Sequence, residues 1–241
     1  MPNATPAPPA AAHPAIAEPE PDYAGHRARL RERFLKSRGD LADYELIELL
    51  LFAAMPRRDV KPIAKALIKR FGSFAAVLNA DLNALTEVSG IGETAAVSLL
   101  AVRAAAVRLL QDDVMNQPVL SNWQSLMDYV RAAMGHAKNE QFRILFLNRK
   151  NVLIADELQQ EGTVDHTPVY PREVIKRALD LGASALILVH NHPSGDSTPS
   201  QADINMTKDL RDAGDKLGIQ LHDHIVVSKS GNTSFKALGV L

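Results

Sequence analysis

Two histidines and an aspartate, His190, His192 and Asp203, lie within a stretch that reads HNHPSGDSTPSQAD. The apolar run 185–189 ahead of it has the length and composition of a buried strand. Residues 202–217 behind it carry Ile204, Leu210, Ala213 and Leu217 on or near one face of a helical pattern. In a strand, residues two apart point the same way, so His190 and His192 converge on one point. Ser200 is a good helix N-cap, which puts Asp203 at the third helical position, facing back over the loop. Two imidazoles and a carboxylate give three ligands and leave a fourth tetrahedral position for water, the pattern of catalytic rather than structural zinc. Zinc lowers the pKa of such a water from about 15.7 to about 7, so a hydroxide nucleophile becomes available at neutral pH. A lone His-x-His is more often accidental, and Ser200 with Asp203 alone is an ordinary cap. The combination, at a strand end and a helix start, is what predicts one zinc ion.

The order His-x-His, seven residues, Ser, two residues, Asp is that of the JAMM motif of MPN-domain metalloproteases. HNHPSG followed by TPSQAD closely resembles the bacterial RadC-like family, named for DNA repair, and the resemblance runs from about residue 22 onward. It implies an MPN/JAB-like α/β fold, with a mixed sheet flanked by helices, a zinc ion and a hydrolase-type site. In MPN proteins a glutamate near the first strand takes the proton from the zinc-bound water. Glu140, fifty residues before His190, is the best positional match, with Glu157 and Glu161 as alternatives. By the same resemblance Ser200 donates a hydrogen bond to the developing oxyanion. The expected activity is zinc-dependent hydrolysis of a peptide or isopeptide bond, in a DNA-repair or recombination context. Two rivals stand beside it: a DNA-binding accessory protein whose metal site is not catalytic, and a metal-dependent nuclease.

The elements that position these residues emerge from the patterning. Residues 141–148 and 152–157 read as a hairpin around Asn148-Arg149-Lys150-Asn151. Residues 171–181 start with proline and read as a helix that ends at Gly182. A strand, this helix and the strand 185–189 make a βαβ-like step, hence an α/β sheet. Residues 218–228 read as a further strand, central by its Ile-Val-Val run, with a second His-x-His at His222 and His224. That pair lacks a downstream acid, so a core position or a hydrogen bond to a ligand histidine suits it better than ligation.

The N-terminal half differs. Residues 1–21 are rich in Ala and Pro and read as a disordered tail, in which His13 is solvated. Residues 22–112 read as a small all-α domain, and 111–118 as a polar connector to the catalytic-looking domain 118–241. Within the first, 25–38 is a basic helix, and Ser89-Gly90-Ile91-Gly92 before an Ala-rich helix resembles a helix-hairpin-helix turn, in which glycines and helix N-terminal amides grip DNA phosphates. Glu93 departs from that pattern by placing a carboxylate where phosphate would sit. Residues 22–112 carry fourteen Lys/Arg against eleven Asp/Glu, and 118–241 thirteen against fourteen, so non-specific DNA contact falls to the first domain.

Composition excludes other chemistries. Without cysteine there is no disulfide, thiolate zinc site or thiol nucleophile, which fits a reducing cytoplasm. No His-Glu-x-x-His is present. No run of 18 apolar residues and no basic-then-apolar leader occurs, so neither a membrane span nor a secretory signal is expected.

Overall fold

A computed structural model describes residues 22–37, 39–162 and 169–241, except for the side chains of residues 22–24 and 161. The tail expected over 1–21, with His13, lies outside the described residues. The chain divides into two compact units, Met1–Leu99 and Leu100–Leu241.

The first unit holds α1 (Asp22–Lys36), α2 (Asp43–Ala54), α3 (Lys61–Phe71), α4 (Phe74–Leu78), α5 (Leu82–Thr86) and the start of α6 (Glu93–Val114). Local chemistry sets the boundaries. Glu45 reaches back to the Ala42 amide at 3.0 Å, and the Ser73 hydroxyl and Asp81 carboxylate accept from Ala76 and Ala84 at 3.1 and 2.8 Å. Ile47, Leu51, Leu67 and Leu85 are fully buried between these helices. Much of the basic stretch is engaged inside the unit. Arg27 is buried, donates to the carbonyls of Met55 and Arg58 at 2.6 and 2.5 Å, and lies over the Phe52 ring. Arg33 pairs with Glu45 and Lys36 with Glu32. The helical hairpin is present as α5, a turn and α6. Gly90 has φ +94°, and a Cβ there would stand 2.9 Å from Ile63 Cδ1, so glycine is required.

Helix α6 runs unbroken to Val114, so residues 111–114 continue the helix where the sequence predicts a connector. Val114 explains this, because it is buried in the core of the second unit. That unit continues with α7 (Trp123–Met134), β1 (Glu140–Leu147), β2 (Leu153–Gly162), α8 (Pro171–Asp180), β3 (Ala185–Asn191), α9 (Gln201–Asp215), β4 (Gln220–Val227) and β5 (Asn232–Ser234). The sheet order is β2-β1-β3-β4-β5, antiparallel except for the parallel pair β3–β4. Leu126, Met127, Val130 and Met134 of α7 pack on one face against Leu145, Ile187, Val189, Ile225 and Val227. Val174, Ile175 and Ala178 of α8 and Leu210 of α9 cover the other, against Phe142, Ile144, Phe146, Leu186, Leu188 and Leu221. The architecture is a helical N-terminal region followed by a mixed sheet between helices.

Three details differ from the sequence expectation. The crossover β2–α8–β3 passes over β1, and the adjacent parallel pair is β3–α9–β4. The middle strand is β3, buried along its whole length, with β4 one place further out. Leu217 lies beyond α9 and is 57% exposed, while Thr207, Leu210 and Gly214 form the buried face.

An irregularity in β4 decides where its histidines point. In the β3–β4 ladder, Leu186 pairs with Leu221 but Ile187 pairs with Asp223, which leaves His222 as the extra residue of a bulge. Leu221 lies in the α8/α9-side cluster, whereas Ile225 and Val227 lie on the α7 side. The odd-numbered side chains therefore change face at the bulge, and His224 turns toward α9.

Two substitutions test this packing. A Cβ at Gly214 would stand 2.5 Å from the Ile219 carbonyl oxygen, so α9 has to lift from the start of β4. Glycine to alanine ordinarily favours a helix by about 1 kcal/mol; Gly214→Ala instead lowers unfolding free energy by about 1–3 kcal/mol in urea titration. On the other face the Tyr129 hydroxyl donates to Asp156, which also accepts from Arg143 at 2.6 Å. Burial, then the Asp156 charge, pushes the Tyr129 phenol well above its ordinary value. A raised pKa stabilises the fold fully below the unfolded value and loses that contribution as pH rises past it. Tyr129→Phe therefore costs about 1.5–3 kcal/mol at pH 7, and the gap from the parent narrows above about pH 10.

Candidate metal centre

Strand β3 delivers His190 toward α9, and the chain keeps its course for two further residues because the His192 amide donates to the Val227 carbonyl at 2.9 Å. His192 thus stays on the same side as His190. A tight turn comes next, in which Gly195 has φ +93°, its amide donates to the His192 carbonyl, and its own carbonyl accepts from Ser230. Asp196 fixes the descending loop by accepting from the amide and hydroxyl of Thr198 at 2.9 and 2.7 Å. Ser197 bonds Thr233 at 2.8 Å. The loop is tied at both ends, and α9 begins where the sequence predicts.

The first turn of α9 is a capping box. Ser200 Oγ accepts from the Asp203 amide at 3.1 Å, and Asp203 Oδ2 accepts from the Ser200 amide at 2.8 Å and its hydroxyl at 2.6 Å. With Oδ2 so held, Oδ1 faces His190 Nε2 at 3.5 Å, and Oδ2 is 3.8 Å from His192 Nε2. The two Nε2 atoms are 3.0 Å apart. Burial alone would raise the Asp203 pKa. The adjacent His190 and His192 imidazoles, with Ser200 adding to them, outweigh burial and hold the carboxyl far below the usual range. Asp203 is therefore ionised at any physiological pH.

These three side chains form the His-His-Asp group with metal-ligating geometry among the described residues. Donors about 2.0–2.1 Å from a tetrahedral zinc lie about 3.3 Å from one another; here the two imidazole nitrogens are 3.0 Å apart and one donor atom from each of the three residues lies within 4.8 Å of the others. Protonation agrees. His192 Nδ1 lies 2.8 Å from the Asp196 carbonyl, which only accepts, so Nδ1 carries the proton and Nε2 of the neutral ring is bare. A second bare nitrogen on His190 would repel it at 3.0 Å unless a cation lay between them. Contact with Asp203, opposed in part by burial, raises the His192 pKa. The donor set fits zinc.

Residues 120–240 match the family profile described as the RadC-like JAB domain. A "UPF0758 protein" of Rhodobacter capsulatus is 60% identical over 213 residues, which cover 88% of this chain and all of that relative. The chain belongs to the RadC family.

Within this RadC-like domain the candidate bases separate. The β1–β3 register runs from Leu147 opposite Ala185 to Phe142 opposite His190. Glu140 is two residues further along, level with His192 and on the same strand face as Phe142, whose ring stacks on His190. It is exposed, and its charge reaches His192, adding to the rise in that pKa. Glu157 is instead held by Arg177 of α8 in a two-oxygen ion pair at 2.5–3.0 Å. The Glu161 side chain lies outside the described residues. Ser200 directs its one hydroxyl proton at Asp203, so donating to an oxyanion requires the hydroxyl to turn. The second His-x-His separates too: His224 Nε2 lies 2.7 Å from His190 Nδ1, while His222 bonds Asn151 at 2.6 Å.

Two further residues belong to the site that sequence reasoning does not single out. Asn191 is fully buried, accepts from the Gln141 amide at 2.7 Å and donates to the Asn139 carbonyl at 3.1 Å. It thereby grips the two peptide groups that flank Glu140. Thr207, one turn after Asp203, bonds both the Asp203 carbonyl and His224. Its signal is the helical spacing Ser200, Asp203, Thr207, which continues the capping face inward.

Binding of one zinc per chain is the outcome expected by calorimetry. At a free concentration a hundredfold above Kd, zinc stabilises the fold by about 2.7 kcal/mol. His192→Ala and Asp203→Ala remove that increment without unfolding the metal-free protein.

Proposed function

We propose that residues 118–241 form a zinc-dependent hydrolase domain of the JAMM type, cleaving a peptide or isopeptide bond in a protein substrate. The observation that carries this is the juxtaposition of three convergent donors with one exposed carboxylate, Glu140, at the same end of the sheet. His190, His192 and Asp203 would hold the ion. When bound, zinc polarises a carbonyl and lowers the pKa of water from about 15.7 to about 7.

The chain's own residues do the rest. Asp203 supplies one negative charge and is kept ionised by its hydrogen bonds. Ser200 orients it through amide and hydroxyl. Glu140 is the base for the attacking water and afterwards the acid that returns the proton to the leaving amine. The clamp from Asn191 holds the Glu140 main chain against the end of β3. Glu157, bonded to Arg177, is a poorer candidate.

Non-specific DNA contact through residues 22–112 is the second reading, favoured by the formed hairpin of α5, the Gly90 turn and α6. The engagement of Arg27 and Arg33 within the unit leaves fewer cations for phosphate than the sequence count suggests. Salt-dependent binding of a random-sequence duplex, weakened by charge reversal at exposed Arg29 and Arg31, is its expected signature.

The test of the hydrolase reading uses the zinc-loaded full chain against peptide and isopeptide libraries and supercoiled plasmid. Glu140→Gln is expected to lower kcat by about 10²–10⁴-fold while retaining stoichiometric zinc. His192→Ala abolishes both. Plasmid nicking that vanishes in both variants, with no peptide cleaved, would reassign the site to phosphodiester chemistry. Wild-type protein without zinc affinity would remove the enzymatic reading.

A further inference from the structure

We infer that Thr207 and His224 dictate which nitrogen of His190 is bare, and so select the donor atom presented to a metal. Three hydrogen bonds in a row fix where the protons lie. Thr207 Oγ1 lies 2.5 Å from the Asp203 carbonyl oxygen, which can only accept, so the single hydroxyl proton goes there. His224 Nδ1 lies 2.6 Å from the same hydroxyl and must therefore donate to it. A neutral imidazole has one N–H, so His224 Nε2 is bare. His190 Nδ1 stands 2.7 Å from that nitrogen and must carry the proton between them. In the neutral ring His190 Nε2 is therefore the bare nitrogen, and it is the atom that faces His192 and Asp203.

The reverse arrangement fails at its first step. If His224 carried its proton on Nε2, Nδ1 would accept from Thr207, and two oxygens would meet at 2.5 Å with no hydrogen between them. A doubly protonated His224 is opposed by its surroundings. The ring is fully buried, stacked on Phe235 at 4.4 Å and edge-on to Phe142 at 5.8 Å, and neither of its bonded partners is a carboxylate.

Metal-bound histidines commonly donate their second N–H to a carboxylate, a carbonyl or water. Here the acceptor is the lone pair of another imidazole, whose own tautomer is set by a threonine. This has two consequences. The site gains an orienting acceptor without a second negative charge, so Asp203 remains the one anion among the donors. The chain His190–His224–Thr207–Asp203 also links the donor on β3 to the donor on α9, across the loop 193–199 that separates them in sequence. His224 and Thr207 are positioning residues, since they reach a metal through His190 alone.

The consequence for zinc rests on the proposed function, whereas the proton assignment does not. Imidazole ¹⁵N shifts of the metal-free full chain read the tautomers directly. Wild type is expected to show both His190 and His224 protonated at Nδ1 and bare at Nε2. Thr207→Val keeps the shape but frees His224, giving mixed tautomers and zinc affinity several-fold weaker by chelator competition; Thr207→Ser restores both. His224→Gln retains an acceptor for His190 and stays within a few-fold of wild type, whereas His224→Phe loses about 10–100-fold. Denaturation of the metal-free variants keeps a folding defect apart from a binding defect. A His224 protonated at Nε2, or a Thr207→Val variant with unchanged tautomers and unchanged affinity, overturns the inference. A wild type that shows the expected tautomers but no zinc affinity leaves it standing and strikes the metal reading instead.

Discussion

Everything at this site depends on a carboxylate held ionised in a largely buried place. An unpaired buried charge is costly, and burial alone would raise the Asp203 pKa. The His190 and His192 imidazoles oppose this, and the first turn of α9 adds to them, because the amide and hydroxyl of Ser200 converge on Oδ2. The same bonds satisfy a helix N-terminus that would otherwise leave orphan donors. Capping and ligand placement are therefore one interaction, and α9 cannot fray at its start without loosening Asp203. The helix itself is fixed at the other end of the turn by Thr207, which looks inward to His224.

The histidine side of the site relies on a different constraint, the phase of β4. A regular strand that puts Leu221 in the α8/α9-side core would face His224 toward α7, away from His190. The bulge at His222 inserts one residue and reverses the phase, so that His224 lies under His190 while Ile225 and Val227 fill the α7-side core. A hydrophobic pattern on both sheet faces and a polar contact to His190 are thereby met by one strand. His222, displaced by the bulge, finds Asn151 at the far side, which is why the two histidines of the second His-x-His do not act as a pair.

The part of this arrangement legible in the sequence is the part written in local spacing. His190 and His192 two apart, Ser200 three before Asp203, and glycine or proline at the turns each carry a short-range rule, and helix and strand appear where those rules put them. What stays hidden is long-range. No glycine or proline marks the bulge at His222, since it is a matter of register against β3. Thr207 is a small polar residue in an amphipathic helix, and only the strand opposite makes it a partner rather than a surface hydroxyl. Leu217 falls outside the helix that its spacing suggests, because periodicity alone cannot tell that α9 stops at Asp215. The polar stretch at 111–114 stays helical for the related reason that Val114 is anchored by tertiary burial, which local composition does not report.

Asn191 shows how a position between two ligands acquires its own requirement. Strand alternation turns it away from His190, and complete burial demands that both ends of its amide be bonded. It meets this at the edge where the β1–β3 pairing runs out, accepting from the Gln141 amide and donating to the Asn139 carbonyl. An aspartate would have no proton for Asn139 and would bury a second charge beside the donors. A leucine, with no polar atom, would remove the bonds to the Gln141 amide and the Asn139 carbonyl. A carboxamide alone, among side chains of that size, offers a donor and an acceptor at the right separation. The spacing between the donor-bearing end of β3 and the Glu140 main chain is thus set by the side chain lying between the two histidines, and Glu140 is registered to the three candidate donors by the motif that supplies them.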